Sequence, residues 1–113
     1  MSEGKTTIAP DVLISIARLT TLSVEGVSRM CLEPTGVGRL FRRGFQDGVR
    51  IEIENETVFV DVNVILQKDV NIRDVSRNIQ QQIARSLSEM VGMQVGQVNI
   101  HIEDIDYSDD SEA

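Results

Sequence analysis

The sequence predicts a two-layer α/β domain (an α+β fold) with two helices on one face of a mixed sheet, in the order β-α-β-β-β-α-β. Hydrophobic and polar residues alternate over two neighbouring runs, and again over a third run near the C-terminus, which is typical of strands. Before the third run, the hydrophobic spacing changes to three and four residues, which is typical of an amphipathic helix. A sheet with one apolar face and a helix with one apolar stripe must bury each other.

The two neighbouring runs, residues 49–54 and 58–67, predict an antiparallel hairpin. Hydrophobic and charged residues alternate in the first run, and four valines followed by Leu66 fill every second position of the second. Asn55 lies between the runs and tolerates the left-handed conformation that a tight turn requires. The other side of the second run is mixed and carries Phe59, so this face of the sheet is expected to meet solvent or a partner, and Phe59 is a candidate partner-binding residue.

The second helix is predicted over residues 72–91. Asn71 is the expected N-cap, Asp74 three residues later completes a capping box with Asp in place of Glu or Gln, and Gly92 is the expected left-handed residue after the helix. The predicted buried stripe consists of Ile72, Val75, Ile79, Ile83, Leu87 and Met90.

The first helix is predicted to begin at Pro10, to run to about Val24 and to end before Gly26. Before it, residues 5–8 are β-prone and are predicted to form a short edge strand. Ile14 and Leu22 fall outside the broad apolar face of the helix and are expected to be exposed, either as isolated surface residues or as contacts for a partner. That face, which we expect to be buried, contains Val12, Leu13, Ile16, Ala17, Leu19 and Val24.

A glycine-rich loop is predicted over residues 34–48, after a strand over residues 27–33. Two interpretations of its basic and aromatic residues are open. In the first, these residues bind phosphates, lipid headgroups or an acidic partner. In the second, they belong to a solvated loop whose phenylalanines pack on the core. The residues concerned are Arg39, Phe41, Arg42, Arg43 and Phe45.

The length of 113 residues fits one domain, predicted over residues 1–105 and followed by an acidic tail, 106–113, that is expected to be disordered. The formal net charge of −7 comes largely from this end, because the residues from Glu103 onward include six acids and no Lys or Arg, while the rest of the chain is about neutral. No apolar run approaches the roughly 20 residues of a membrane span, and the N-terminus lacks the layout of a signal peptide. With only one cysteine, these features favour a cytoplasmic protein.

Groups suited to catalysis are few, which predicts a protein that is not an enzyme and needs no metal or cofactor. His101 is the only histidine, and we expect it to be a solvent-facing residue of a strand. Cys31 is the only cysteine, and we expect it to be a small buried side chain. The glycine spacing matches no nucleotide-binding loop, and the acidic tail lacks the pattern of a calcium loop. A nucleic-acid-binding or anionic-lipid-binding module that uses Arg39, Arg42 and Arg43 is the alternative, although the acidic residues on the open sheet face argue against nucleic acid.

Seven segments occur in a fixed order along the chain: GKTTI (4–8), VEGV (24–27), VRIEI (49–53), VFVDV (58–62), VNIRDV (70–75), EMVG (89–92) and VNIHI (98–102). This ordered set resembles the alkaline shock protein family, the Gls-type envelope stress response proteins. The resemblance covers about residues 4–105 and implies a small, non-enzymatic cytoplasmic protein that supports the cell envelope. It further implies self-association, and attachment to the inner face of the membrane through a separate membrane-anchor protein, with no catalytic or cofactor-binding residues. We expect the open sheet face and the first helix, including Ile14 and Leu22, to make these contacts.

Overall fold

The computed structural model describes residues 3–32 and 44–108 and confirms the predicted α+β class with a mixed sheet. Of the predicted loop, residues 34–43 lie outside the described residues, and so do residues 109–113 of the predicted tail. The described elements are α1 (Pro10–Ser23), β1 (Val27–Met30), β2 (Val49–Glu54), β3 (Thr57–Gln67), α2 (Ile72–Val91) and β4 (Gln94–Asp106).

The central strand of the sheet is β3, which pairs along both of its edges. On one edge β4 runs parallel to it, which confirms that the strand after the second helix is parallel to the one before it. On the other edge β1 and β2 both pair antiparallel with β3, one after the other along its length. Residues 5–8 lie outside every strand, so the predicted first strand is wrong. These residues are exposed, and a run this short has no apolar face to bury against the sheet.

The core lies between one face of the sheet and both helices. Every second residue of β3 from Val58 to Leu66 is fully buried, and residues of α1 and α2 belong to the same hydrophobic cluster. The helices also contact each other directly, where Thr20 Oγ1 lies 3.2 Å from Ser86 Oγ. Both helices therefore lie on one face of the sheet, and the opposite face is open.

The N-cap at Asn71 and the left-handed residue at Gly92 confirm these parts of the prediction made from the sequence, whereas no bond from the Asp74 side chain back to Asn71 completes the capping box among the described residues. The Asn71 side chain accepts a hydrogen bond of 3.0 Å from the backbone N–H of Asp74, and Gly92 adopts the left-handed conformation at φ 74°. The middle of the predicted stripe is buried, but its ends are exposed, since Ile72 is 47% and Met90 70% accessible. Ile72 and Met90 therefore lie outside the buried core, although Val75 in the first turn of α2 belongs to it.

The hairpin between β2 and β3 is also confirmed. Both turn residues, Asn55 and Glu56, have positive φ angles, 51° and 65°. Two consecutive left-handed residues form the turn type whose twist matches that of paired strands.

A single edge of β3 is shared by β1 and β2, and their meeting point is Asn63. Its carbonyl accepts a hydrogen bond of 2.8 Å from the Cys31 N–H, and its own N–H donates to the Gly48 carbonyl, also at 2.8 Å. The chain thus leaves this edge after Cys31 and rejoins it at Gly48, where φ is 82°. The first of the two strands is shorter than predicted and ends at Met30.

The last strand is longer than the alternating run, residues 97–103, that predicted it. It begins at Gln94 and continues through Asp106, one residue into the segment predicted as a disordered tail. Its register with β3 shifts twice, at Gly96 and at Glu103, and each shift is a bulge that sequence alternation alone does not reveal. Asp106 is held there by the Ser28 hydroxyl at 2.7 Å and by the Arg29 guanidinium at 2.9 Å.

Candidate interaction surfaces

The outer face of α1 carries exposed hydrophobic residues, but only one of them, Leu22, was predicted to be exposed from helical projection. Leu22 is exposed, as predicted, with 39% of its surface accessible. Ile14 is only 8% accessible, so its predicted exposure is wrong. Val12 and Leu19, which were expected to be buried, are 47% and 58% accessible.

The reason is that hydrophobic residues occur almost all round α1, so projection leaves several faces possible. The buried face contains a polar residue, Thr21, because its hydroxyl donates a hydrogen bond of 2.7 Å to the Ala17 carbonyl within the helix. This internal bond removes the cost of burying the hydroxyl. The face that includes Ile14 and Thr21 therefore packs on the sheet, and the opposite face remains in contact with solvent.

A shallow hollow of about 530 Å³ lies beside the exposed end of α1. Its apolar wall includes Leu32, of which 61% is accessible. The hollow continues the exposed hydrophobic surface of α1 onto the end of β1. Its lining residues are Arg18, Leu22, Arg29, Met30, Leu32 and Asp47.

The predicted cluster of arginines and phenylalanines is only partly described. Arg39, Phe41, Arg42 and Arg43 lie outside the described residues, and their proposed binding to nucleic acid or anionic lipid stays a prediction. Phe45 is described and half-buried, and the guanidinium carbon of Arg50 lies 5.7 Å from the centre of its ring. Phe45 thus contacts the open face of the sheet through a cation–π interaction.

Three strands bring a polar cluster together on the open face, centred on Asp61 of β3. Oδ1 of this residue accepts from Asn99 Nδ2 at 3.2 Å and lies 3.1 Å from His101 Nε2. Oδ2 accepts from Arg50 at 3.4 Å. Arg50 also places its Nε in a buried position, where no acceptor among the described residues reaches it. The guanidinium of Arg50 and the imidazole of His101 therefore lie on either side of one carboxylate.

Burial by itself would raise the pKa of Asp61. The hydrogen bonds from His101 and Asn99 and the charge of Arg50 outweigh burial and hold the pKa below its usual value. A carboxyl group with a lowered folded-state pKa stabilises the fold above the pKa of the unfolded chain, about 3.9. This stabilisation is lost as the pH falls through the folded-state pKa.

Replacing Asp61 by Asn is expected to reduce the free energy of unfolding by about 1 kcal/mol at pH 7, because the charged hydrogen bonds are lost at a partly exposed site. The difference in the free energy of unfolding between this variant and the wild type is expected to decrease between pH 4 and pH 2.5. Urea unfolding at pH 7, 4 and 2.5 measures it. Glu54→Gln, which removes an exposed carboxylate of the same hairpin, is the control. A difference that stays constant over this range would contradict the role assigned to Asp61.

Phe59 lies on the open face, as the alternation of β3 predicts, and it is half-buried. Its ring crosses Gly96 of β4 so closely that a Cβ added at Gly96 would meet Phe59 Cε1 at 2.5 Å. The missing side chain at Gly96 thus leaves the space in which the ring lies. Because the ring is already packed on β4, Phe59 offers a partner only its outer side.

Neither His101 nor Cys31 belongs to a metal site within the described residues, where no group of three or more His, Cys, Asp or Glu side chains is placed to hold an ion. Cys31 is buried and His101 is exposed, as predicted. No described helix has both the length and the hydropathy that crossing a membrane requires.

The polar cluster on the open face was not predicted from the sequence. Its members come from three strands, and only the register of β3 with both neighbours aligns Arg50, Asp61 and Asn99 in one row. The sequence signal was limited to the mixed composition of one side of β3. That signal identifies a polar face but not the residues that meet on it.

Comparisons with known proteins agree over nearly the whole chain. Residues 1–107 match the model of the alkaline shock protein 23 family, which is described as having a cell envelope-related function. The chain is 30% identical to the uncharacterized protein YqhY of Bacillus subtilis over 106 residues, which cover 92% of this chain and 78% of that protein. It is 23% identical to YloU of the same organism, over 90% of this chain and 88% of that protein. A Streptococcus pyogenes protein, Spy1614, is 22% identical, over 91% and 88% respectively. No solved structure gives a significant match.

Proposed function

Because the chain belongs to the alkaline shock protein family, whose function is related to the cell envelope, we propose that it is a non-enzymatic adaptor that self-associates and binds a membrane-anchor protein. In this proposal the protein is cytoplasmic and reaches the inner face of the cell membrane through that partner. The membership also confirms the family resemblance found in the ordered segments of the sequence.

The observation that supports an adaptor is the exposed hydrophobic face of α1. Val12, Leu19 and Leu22 follow one another at intervals of seven and three residues, which places them along one side of the helix. Such a stripe is the kind of surface through which one helix packs against another. The adjoining hollow with Leu32 extends the apolar area beyond the helix.

The open face of the sheet supplies a second, polar surface for the same role. Its carboxylate, guanidinium and imidazole groups are fixed by one another around Asp61. A rigid polar surface on one layer and an apolar stripe on the other allow two different contacts at the same time. Two weak contacts made together bind more tightly than either alone, without a deep pocket.

The test replaces Leu19 and Leu22 together by Lys. Because both side chains are exposed, the variant is expected to keep the fold, and its circular dichroism and melting temperature check this. Light scattering is expected to show a shift towards the monomer, with self-association weakened by about tenfold or more, because contacts at the centre of an interface cost about 2 kcal/mol or more when lost. Recovery of a small membrane protein from solubilised host membranes is expected to fall in parallel.

The matched control is Met90→Lys, which places the same charge at an exposed hydrophobic residue of α2. This variant is expected to associate and to recover the membrane protein like the wild type. Unchanged association of the α1 double variant, or an equal loss in both variants, would contradict a contact through the outer face of α1.

A further inference from the structure

The outer edge of β4 is not covered by any residue that the structure describes. Within residues 3–32 and 44–108, β4 pairs only with β3. Its core-facing side chains, among them Val98, Ile100 and Ile102, are half-buried, whereas those of β3 are fully buried. The helices therefore cover the centre of the sheet and leave part of the apolar side of β4 accessible.

The register identifies which backbone groups point outwards from this edge. Asn63 directs both its N–H and its C=O towards β1 and β2, so the neighbouring even-numbered residues of β3 direct theirs towards β4. Val60, Val62 and Val64 are registered with Val98, Ile100 and Ile102. In a parallel ladder the registered partners of such residues point their own groups away, towards solvent.

One of these outward groups is already satisfied by a side chain, because Gln80 of α2 donates a hydrogen bond of 3.0 Å to the Val98 carbonyl. For the outward N–H and C=O groups of Ile100 and Ile102, the described part of the chain supplies no partner. An uncovered edge of this kind is a template for one more strand.

A hollow of about 490 Å³ adjoins this edge, between β4 and the N-terminal half of α2. Arg73 and Arg77 form its basic side, and both are exposed. Neither makes an ion pair with any described residue, although Asp74 is their neighbour on the helix. The lining residues are Ile72, Arg73, Ser76, Arg77, Gln80 and Ile102.

The distance between the two arginines along α2 matches the distance between alternate side chains on one face of a strand. Residues four apart on a helix are separated by about 6 Å along its axis. Alternate side chains on the same face of a strand are separated by about 6.6 Å. A strand added to β4 would therefore place acidic side chains at positions i and i+2 opposite Arg73 and Arg77.

We propose that the edge of β4 between its two bulges binds an extended acidic segment of another protein, which adds to the sheet as a further strand. The segment's backbone pairs with Ile100 and Ile102, and carboxylates at positions i and i+2 form charge-assisted hydrogen bonds with Arg73 and Arg77. The peptide backbone supplies the edge pairing, which nucleic acid and lipid headgroups cannot supply. This proposal rests on neither the outer face of α1 nor the adaptor role.

The probe is a fluorescein-labelled peptide, Thr-Val-Glu-Val-Glu-Val-Thr, added to the full chain. Fluorescence anisotropy is expected to give saturable binding, and the amide signals of Ile100 and Ile102 are expected to shift in NMR spectra. Arg73→Ala with Arg77→Ala is expected to weaken binding by at least about tenfold, since two charge-assisted contacts are lost. Arg85→Ala, which removes an exposed arginine elsewhere on α2, is the control and is expected to bind normally.

Two further peptides separate strand addition from simple charge attraction. A peptide with both Glu replaced by Gln is expected to bind the wild-type protein weakly. Its affinity is expected to be about that of the original peptide for the double variant. A peptide that retains Glu but carries N-methyl groups on alternate amides, on the edge that faces β4, is expected to lose binding. Retained binding of the N-methylated peptide, retained binding by the double variant, or no binding of the original peptide would each overturn the proposal.

One other occupant is tested directly. If the acidic C-terminal residues of this chain occupy the hollow beside β4, replacing Asp109 and Asp110 by Asn and Glu112 by Gln will shift the NMR signals of Ile100 and Ile102 without any peptide present. That result would overturn the proposal of a separate partner. Unchanged signals in this variant, together with peptide binding, would support it.

Discussion

Replacing Ile14 by Lys is expected to unfold the domain, whereas replacing Leu22 by Lys on the same helix is expected to leave it folded. Ile14 is 8% accessible and belongs to the core, while Leu22 is 39% accessible at the rim of a shallow hollow. An ammonium group cannot be buried without a partner. We expect the loss for Ile14→Lys to be at least about 3 kcal/mol, a large fraction of the stability of a domain of this size.

Thermal unfolding followed by circular dichroism measures both variants. Leu19→Lys, at the most exposed hydrophobic residue of α1, is the control for introducing lysine into this helix. A native melting curve for Ile14→Lys would mean that the helix packs through another face. Strong destabilisation by Leu22→Lys would mean that its side chain belongs to the core.

The second large effect is expected at Gly48, where the chain rejoins the edge of β3. Its φ of 82° is a conformation that side chains disfavour. A Cβ there would also lie 3.2 Å from the carbonyl oxygens of Asn63 and Cys31, which are backbone atoms held in the sheet. We expect Gly48→Ala to lose about 3 kcal/mol or more, the upper end of the usual cost of a strained residue, because close contacts add to the strain.

Gly92 is the matched control, because its φ is 74° and a Cβ there would have nothing within 4 Å. Gly92→Ala is therefore expected to show the backbone strain alone, about 1 kcal/mol. Urea unfolding of both variants gives the difference due to the contacts at Gly48. Equal losses would show that the sheet yields at Gly48 and that the close approach to Asn63 and Cys31 carries no cost.

Local signals made much of the fold predictable. The N-cap at Asn71 and the left-handed residue at Gly92 each depend on one or two residues and their immediate neighbours, and the hairpin turn at Asn55 is equally local. Such features form in the same way wherever the chain places them. The parallel pairing of β4 then follows, because a helix between two strands of one sheet carries the chain back to its starting end.

Features that depend on several elements could not be predicted in the same way. The buried face of α1 is selected by the sheet, since the helix offers apolar residues on most of its sides and Thr21 satisfies its own hydroxyl. The cluster around Asp61 depends on the register of three strands, and the bulge at Gly96 shifts that register by one residue. Alternation in β4 therefore identifies a strand but not which of its residues face Asp61.

The shared edge of β3 also bears on how this domain can change. Because Cys31 and Gly48 both bond to the backbone of Asn63, the two ends of the intervening segment are fixed side by side by the sheet itself. Pairing on either side of this point does not depend on how many residues lie between them. The length and composition of that segment can therefore vary while the register of β1 and β2 stays constant.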